Sequence, residues 1–127
     1  MKVIYKIAAG LASLSLLGFG LFYNPGPVWK DGSYIVYYTD VGRRMGLHSN
    51  PGVFGLIPEV VVAAGSNHEW VVAEQVWEGE RRFYTMRKPV RKEFPPDPEG
   101  PFTLEEYNQK VVALKLPPFS WRDSQTK

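Results

Sequence analysis

Three consecutive stretches of the chain decide its fold: Glu59-Val-Val-Val-Ala-Ala64, Glu69-Trp-Val-Val-Ala-Glu-Gln-Val-Trp77 and Arg81-Arg-Phe-Tyr-Thr-Met-Arg-Lys88. Each is rich in β-branched or aromatic residues, which fit a pleated sheet. The segments between them, residues 65–68 and 78–80, carry the Gly and Asn that tight turns favour. The sequence therefore predicts an antiparallel meander with strands at 59–64, 69–77 and 81–88.

The residues before the meander predict a further strand pair. Residues 33–39 follow Asp31-Gly32 and have the composition of a strand. Residues 43–48 can pair with them across a short connection, and a turn at 50–52 then leads into apolar residues 53–57. We expect one sheet of four or five strands.

The residues after the meander predict a linker followed by a helix. Residues 94–101 contain four prolines and read as a linker without regular structure. Thr103-Leu-Glu-Glu106 fits a capping box. We expect an amphipathic helix at 104–115 that packs on the sheet, and a frayed tail at 122–127. The helix face is predicted from apolar residues at helical spacing: Leu104, Tyr107, Val111 and Leu114.

The first 23 residues have the layout of a signal peptide or signal anchor. Lys2 and Lys6 precede seventeen uncharged residues at 7–23. That stretch is short for a transmembrane helix, but it has no Ala-x-Ala cleavage site, and this favours a retained anchor. Cleavage near Gly20, which would leave a secreted or periplasmic protein, is the alternative.

The positive charge ahead of this segment sets the predicted orientation. Since positive residues stay on the cytoplasmic side, we expect a single-pass protein of a bacterial inner membrane with its N-terminus in the cytoplasm. A stalk at 24–32 would then join the anchor to a periplasmic domain at 33–121. The predicted fold class is α+β: a small antiparallel sheet with a central meander and one C-terminal helix, preceded by an N-terminal hydrophobic helix.

Composition excludes several classes of function. The chain has no Cys, which rules out disulfides, thiolate metal sites and a catalytic thiol. Two of its 15 basic residues precede the hydrophobic segment, which leaves 13 basic and 13 acidic residues in the folded part. A domain of balanced charge gives little support to nucleic-acid binding.

The order of elements resembles small exported bacterial domains of unknown function, which are often lipoproteins. The likeness is carried by Trp-Val-Val-Ala-Glu-Gln at 70–75, Phe-Tyr at 83–84 and Gly-Pro-Phe-Thr-Leu-Glu-Glu-Tyr at 100–107. This chain differs from the lipoproteins in lacking the lipid-bearing Cys. The resemblance implies a strand-rich domain with a helix and identifies no functional residue.

Catalytic and metal sites find little support in the residue pattern. The two histidines, His48 and His68, fall in predicted turns, where an exposed side chain is more common than a metal ligand. No phosphate-binding loop is present, and the sequence does not pair any two carboxylates. We predict no catalytic residue, no metal site and no cofactor.

A basic cluster is the most distinctive polar feature. Its six members lie within twelve positions: Arg81, Arg82, Arg87, Lys88, Arg91 and Lys92. Such a surface could receive an acidic protein, anionic lipid or cell-wall polymer. The alternative is a solvated edge strand that its charges protect from aggregation. Trp70 and Trp77 have opposite parity on one strand, so we expect one to face the core and the other to face the surface or the helix. An exposed Trp there would be a binding anchor.

These features favour binding over catalysis. The predicted function is that of a small envelope-located interaction protein, such as an accessory subunit, an inhibitor or an immunity-type partner, bound to the membrane through residues 1–23. Two alternatives stay open: an envelope enzyme that acts on a polymer, and a membrane scaffold subunit. A concave site with convergent polar groups would favour the enzyme, whereas a flat or edge-strand patch would favour the binder.

Overall fold

Two antiparallel sheets and one helix are stacked in three layers in the computed structural model, which describes residues 26–49, 52–91 and 95–124. The first sheet has the order β1-β2-β3-β4, with strands at Trp29–Asp31, Tyr34–Thr39, Gly42–Ser49 and Gly52–Ile57. The second has the order β8-β7-β6-β5-β9. Its strands in chain order are Val61–Ser66, Trp70–Trp77, Glu80–Arg87, Glu99–Phe102 and Trp121–Arg122, and helix α1 spans Leu104–Leu114.

The predicted antiparallel architecture is confirmed in its broad form. The β5-β6-β7 meander and the β2-β3 pair both exist, and the described residues are mostly β with one helix. The prediction of one sheet with four or five strands is wrong, because the chain leaves the first sheet after β4 and enters the second at β5. Residues 58–60 make this connection.

The second sheet is the middle layer, and it buries residues on both faces. Along β6, Val71 and Ala73 face a core shared with the first sheet. Trp70 and Val72, of opposite parity, face a second core beneath the helix. Because both faces are covered, β6 reads in sequence as a nearly continuous apolar run.

The predicted capping box begins the helix. The Oγ1 atom of Thr103 accepts from the Glu106 amide at 3.1 Å, and the Glu106 carboxylate accepts from the Thr103 amide at 2.8 Å. Tyr107 is buried and Val111 partly buried against the second sheet. Leu104 and Leu114, also predicted on the packed face, are exposed, because the contact area of this 11-residue helix centres on Tyr107.

Three short strands lie where the sequence predicted irregular structure. β1 falls within the predicted stalk at 24–32, and β8 falls within the predicted linker and runs to Phe102. β9 takes in Arg122, the first residue of the predicted tail. Each strand has two to four residues, too few for a periodic pattern.

The predicted N-terminal hydrophobic helix lies outside the described residues. Within the ranges that the structure describes, no helix is long and apolar enough to cross a membrane.

Candidate interaction surface

Strand β4 forms an edge of the first sheet, because it pairs with β3 on one side and with no described strand on the other. Its sequence, Gly-Val-Phe-Gly-Leu-Ile, contains no charged residue and no proline. Val53 is 43% exposed and Phe54 is 49% exposed. An exposed apolar edge strand is a template on which another chain can pair.

The direction of the backbone groups on β3 follows from one hydrogen bond. The amide of His48 donates to the carbonyl of Ser33 at 2.6 Å, so the backbone of His48 points toward β2. Along an antiparallel strand this direction alternates from residue to residue. The amide and carbonyl of Leu47 therefore point toward β4.

The same alternation fixes the outer side of β4. Leu47 lies opposite Phe54, so the backbone groups of Phe54 point inward to β3. The amides and carbonyls of the two flanking residues, Val53 and Gly55, therefore point outward. Beyond Gly55 a bulge at Met45/Gly46 shifts the register, and regular pairing resumes at Ile57.

The other sheet edges among the described residues are shorter or carry protective residues. β1 has three residues and includes Lys30 and Asp31. β8 contains Pro101, which has no amide to donate, and β9 is two residues long. Short length, charge and proline are common means of blunting a sheet edge. β4 has none of these features.

The basic cluster is divided between the two faces of β7. Arg81 and Arg87 share the parity of Phe83 and lie on the helix side of the sheet, where their guanidinium groups stand over aromatic rings. Arg82 and Lys88 lie on the opposite face. The six predicted residues therefore do not form one surface along this strand.

Most of these cations are paired with carboxylates of the same domain. Three ion pairs have N···O distances of 2.7 Å: Arg81 with Glu74, Arg87 with Glu69, and Lys88 with Asp31. Arg82 approaches Glu80 at 3.9 Å. Arg91 is exposed after the strand, and Lys92 lies outside the described residues. Binding of an acidic partner at this strand would have to displace or share these carboxylates.

The Glu74 carboxylate is the buried centre of a further charged group that the sequence did not reveal. It has no solvent exposure and accepts from Arg81 at 2.7 Å and from Arg122 at 2.9 Å. Two cations compensate this buried charge, as burial of a carboxylate requires. Arg122 lies 48 positions away in sequence, so no local pattern could have predicted the pairing.

An aromatic stack next to this group joins the helix to the second sheet. The Tyr107 ring lies 4.8 Å from that of Phe83 and 5.8 Å from that of Phe119, measured between centroids. Burial raises the pKa of the Tyr107 phenol well above its usual range, and the charge of Glu74 raises it further. Tyr107 therefore stays neutral, as a packing residue under the helix should.

The two tryptophans on β6 have different environments, in agreement with their opposite parity. Trp70 is 7% exposed and packs in the core beneath the helix, which excludes it as a surface anchor. Trp77 is 43% exposed at the β6-β7 turn and is available for contact.

The histidines and acidic residues are dispersed. No group of three or more His, Asp or Glu side chains in the described parts of the chain could hold a metal ion. Ser66, near His68 in sequence, donates to Asp31 at 2.5 Å and so belongs to the same structural cluster as Lys88.

Comparison with known proteins finds no matching family model, no similar curated protein and no similar solved structure. A functional proposal for this chain must therefore rest on its own residues, and the β4 edge is the surface that best fits a binding site.

Proposed function

We propose that this chain is an envelope-located binding protein without catalytic activity, held at a bacterial membrane by residues 1–23, and that its β4 edge accepts an extended strand from a partner protein. An accessory subunit, an inhibitor or an immunity-type protein would each work in this way. The observation that carries the proposal is the uncharged, exposed strand Gly52–Ile57 at the edge of the first sheet.

Strand addition fits the chemistry of this edge. In this type of recognition the main-chain hydrogen bonds supply affinity, and side chains at alternate positions supply specificity. Val53 and Gly55 direct their amides and carbonyls outward to receive the added strand. Apolar side chains of the partner would find Val53 on one face of the sheet and Phe54 on the other.

The position of the tether is compatible with this use. The described chain enters the first sheet through β1, which lies at the edge opposite β4. Three interstrand spacings separate the two edges, or about 14 Å. A membrane tether would therefore join the described domain at the edge remote from β4.

Site-specific photo-crosslinking in cells tests the proposal. A photoreactive amino acid replaces Val53 in the full-length protein, and a matched variant carries it at Val90, which is 91% exposed but distant from β4 in the chain. We expect a discrete protein adduct from position 53 and none from position 90. Equal labelling at both positions, or no adduct at position 53, would overturn the proposal.

A further inference from the structure

The proposed function requires a partner strand, and we infer that this strand is β4 of a second copy of the chain. The two copies would pair in antiparallel orientation about a two-fold axis that passes beside Phe54. This inference rests on the proposed function and names the occupant of the same edge.

The backbone of β4 is suited to pairing with itself. Val53 and Gly55 flank Phe54 symmetrically, and both present outward amides and carbonyls. With Phe54 of the two copies opposite each other, Val53 of each copy faces Gly55 of the other. Each of these two pairs exchanges both of its N–H···O bonds, as a hydrogen-bonded pair in an antiparallel ladder does.

The side chains of β4 also fit this register. Phe54 lies opposite Leu47, which faces the inter-sheet core, so Phe54 projects on that face at the edge. Two Phe54 rings would meet there as a non-hydrogen-bonded pair, the closer type of cross-strand pair. On the other face each Val53 meets a glycine. The Arg44 side chain lies beside that glycine, with Nη2 3.1 Å from the position of an added Cβ.

Charge provides an independent argument for self-pairing. A two-fold axis brings residues near the axis against their own copies, so a charged residue there would face its like. β4 has no charged residue, whereas β1 carries Lys30 and Asp31 and β8 carries Glu99. β4 is thus the exposed edge strand whose own residues bring no like charges together. The product would be one continuous antiparallel sheet built from two first sheets.

The size of the contact sets the expected strength. One pair of six-residue strands buries less than the roughly 1,600 Å² of a standard stable interface. The dimer should therefore dissociate on dilution in solution. A tether to one membrane would raise the local concentration and favour it.

Disulfide trapping tests the register, and a chain without Cys makes each result unambiguous. The full-length Phe54→Cys variant in membranes should form a disulfide-linked dimer, because the two positions face each other. Val53→Cys is the matched control. Its two copies would be about 8 Å apart, beyond disulfide reach, so it should form far less dimer. Dimer from Val53→Cys equal to that from Phe54→Cys would overturn the register.

A charge-swap experiment tests the two-fold axis. Phe54→Lys and Phe54→Glu should each lose the dimer, because like charges oppose each other, while a mixture of the two should regain it as a heterodimer. Circular dichroism of each variant checks that the fold is intact. Failure of the mixture to associate would overturn the inference.

The crosslinking experiment at Val53 separates the two proposals. An adduct of twice the chain mass supports the second copy as occupant. An adduct with a different protein, together with no Phe54→Cys dimer, rejects self-pairing and keeps the proposed function. No adduct rejects both.

Discussion

The Nη2 atom of Arg122 lies 2.9 Å from Oε1 of Glu74, whose side chain has no solvent exposure. This contact joins β9, at the end of the described chain, to the central strand of the second sheet. Arg81 contacts the other carboxylate oxygen at 2.7 Å. The carboxylate is thus held from two strands, β7 and β9.

Removing both Arg81 and Arg122 should destabilise the fold, because the buried Glu74 carboxylate then has no cation beside it. Arg81→Met and Arg122→Met should each cost little alone, since one cation is left and both guanidinium groups are partly exposed. The double variant leaves a buried charge without compensation. We expect its free energy of unfolding to fall by about 3–5 kcal/mol, more than the sum of the two single effects. Urea unfolding of a fragment containing residues 24–127 measures it.

The same experiment has an internal control. Adding Glu74→Gln to the double variant removes the uncompensated charge and should recover part of the lost free energy of unfolding. Additive losses in the double variant, or no recovery on adding Glu74→Gln, would show that the three side chains do not act as one unit.

Gly65→Ala should loosen the segment that leads into β9. A Cβ atom at Gly65 would lie 2.1 Å from the Pro118 carbonyl oxygen and 2.9 Å from Cα of Phe119. Since both are backbone atoms, the segment at Pro118 and Phe119 must shift. We expect the free energy of unfolding, measured with urea, to fall by about 1–3 kcal/mol. Gly52→Ala is the matched control, because nothing lies within 4 Å of its Cβ position. Equal effects would contradict the close approach.

Thr103→Ala should weaken the helix at its start. The substitution removes the hydroxyl that accepts from the Glu106 amide, and loss of an N-cap of this type costs about 1 kcal/mol. The measurement is the midpoint of urea unfolding, with Gln109→Ala on the exposed side of the helix as a control. A midpoint that matches wild type would mean that the helix adds nothing to the stability of the domain.

Stability should depend on pH through Asp31. Hydrogen bonds from Lys88 and Ser66 lower the pKa of its carboxyl below the usual 3.8. A lowered folded-state pKa contributes stability above 3.8, and this contribution is lost as the pH falls through the folded-state value. Asp31→Asn should therefore destabilise the domain at neutral pH and progressively less in acid.

Urea unfolding of wild type and Asp31→Asn from neutral pH to below 3.8 measures this effect, and Lys88→Met provides the comparison. It removes the Lys88 hydrogen bond, the largest cause of the lowered pKa of Asp31. The stability of the domain should therefore vary less with pH in the acid range. If the free energies of unfolding of wild type and Asp31→Asn differ by a constant amount from neutral pH to below 3.8, the stability does not depend on the ionisation of Asp31.

The parts of the fold that sequence predicted are those with a local signal. The meander has strand composition with turn residues between its strands, and the capping box is a four-residue pattern beginning at Thr103. The division into two sheets has no such signal. It depends on which elements cover the two faces of β5, β6 and β7. An apolar run in the sequence indicates burial, but it does not identify the element that packs on each face.

The candidate site was missed for a similar reason. Residues 53–57 were predicted only as an apolar stretch, because edge position is a property of sheet order, which the sequence does not encode locally. The charged residues that stood out in sequence are mostly paired within the domain, as with Arg87 and Glu69 at 2.7 Å. Glu74 lies on the neighbouring strand, Glu69 just before it and Asp31 in the first sheet, so these pairings become visible only once the chain is folded.

The last prediction concerns the N-terminal segment. Lys2 and Lys6 precede seventeen uncharged residues, and positive charge is retained on the cytoplasmic side of a membrane. A reporter that is active only in the cytoplasm, fused after Lys127 of the full-length protein, should therefore be silent in a bacterial host. The same fusion without residues 1–23 should be active, which shows that the reporter itself folds. Strong activity from the full-length fusion would place the domain in the cytoplasm and remove the envelope location from the proposed function.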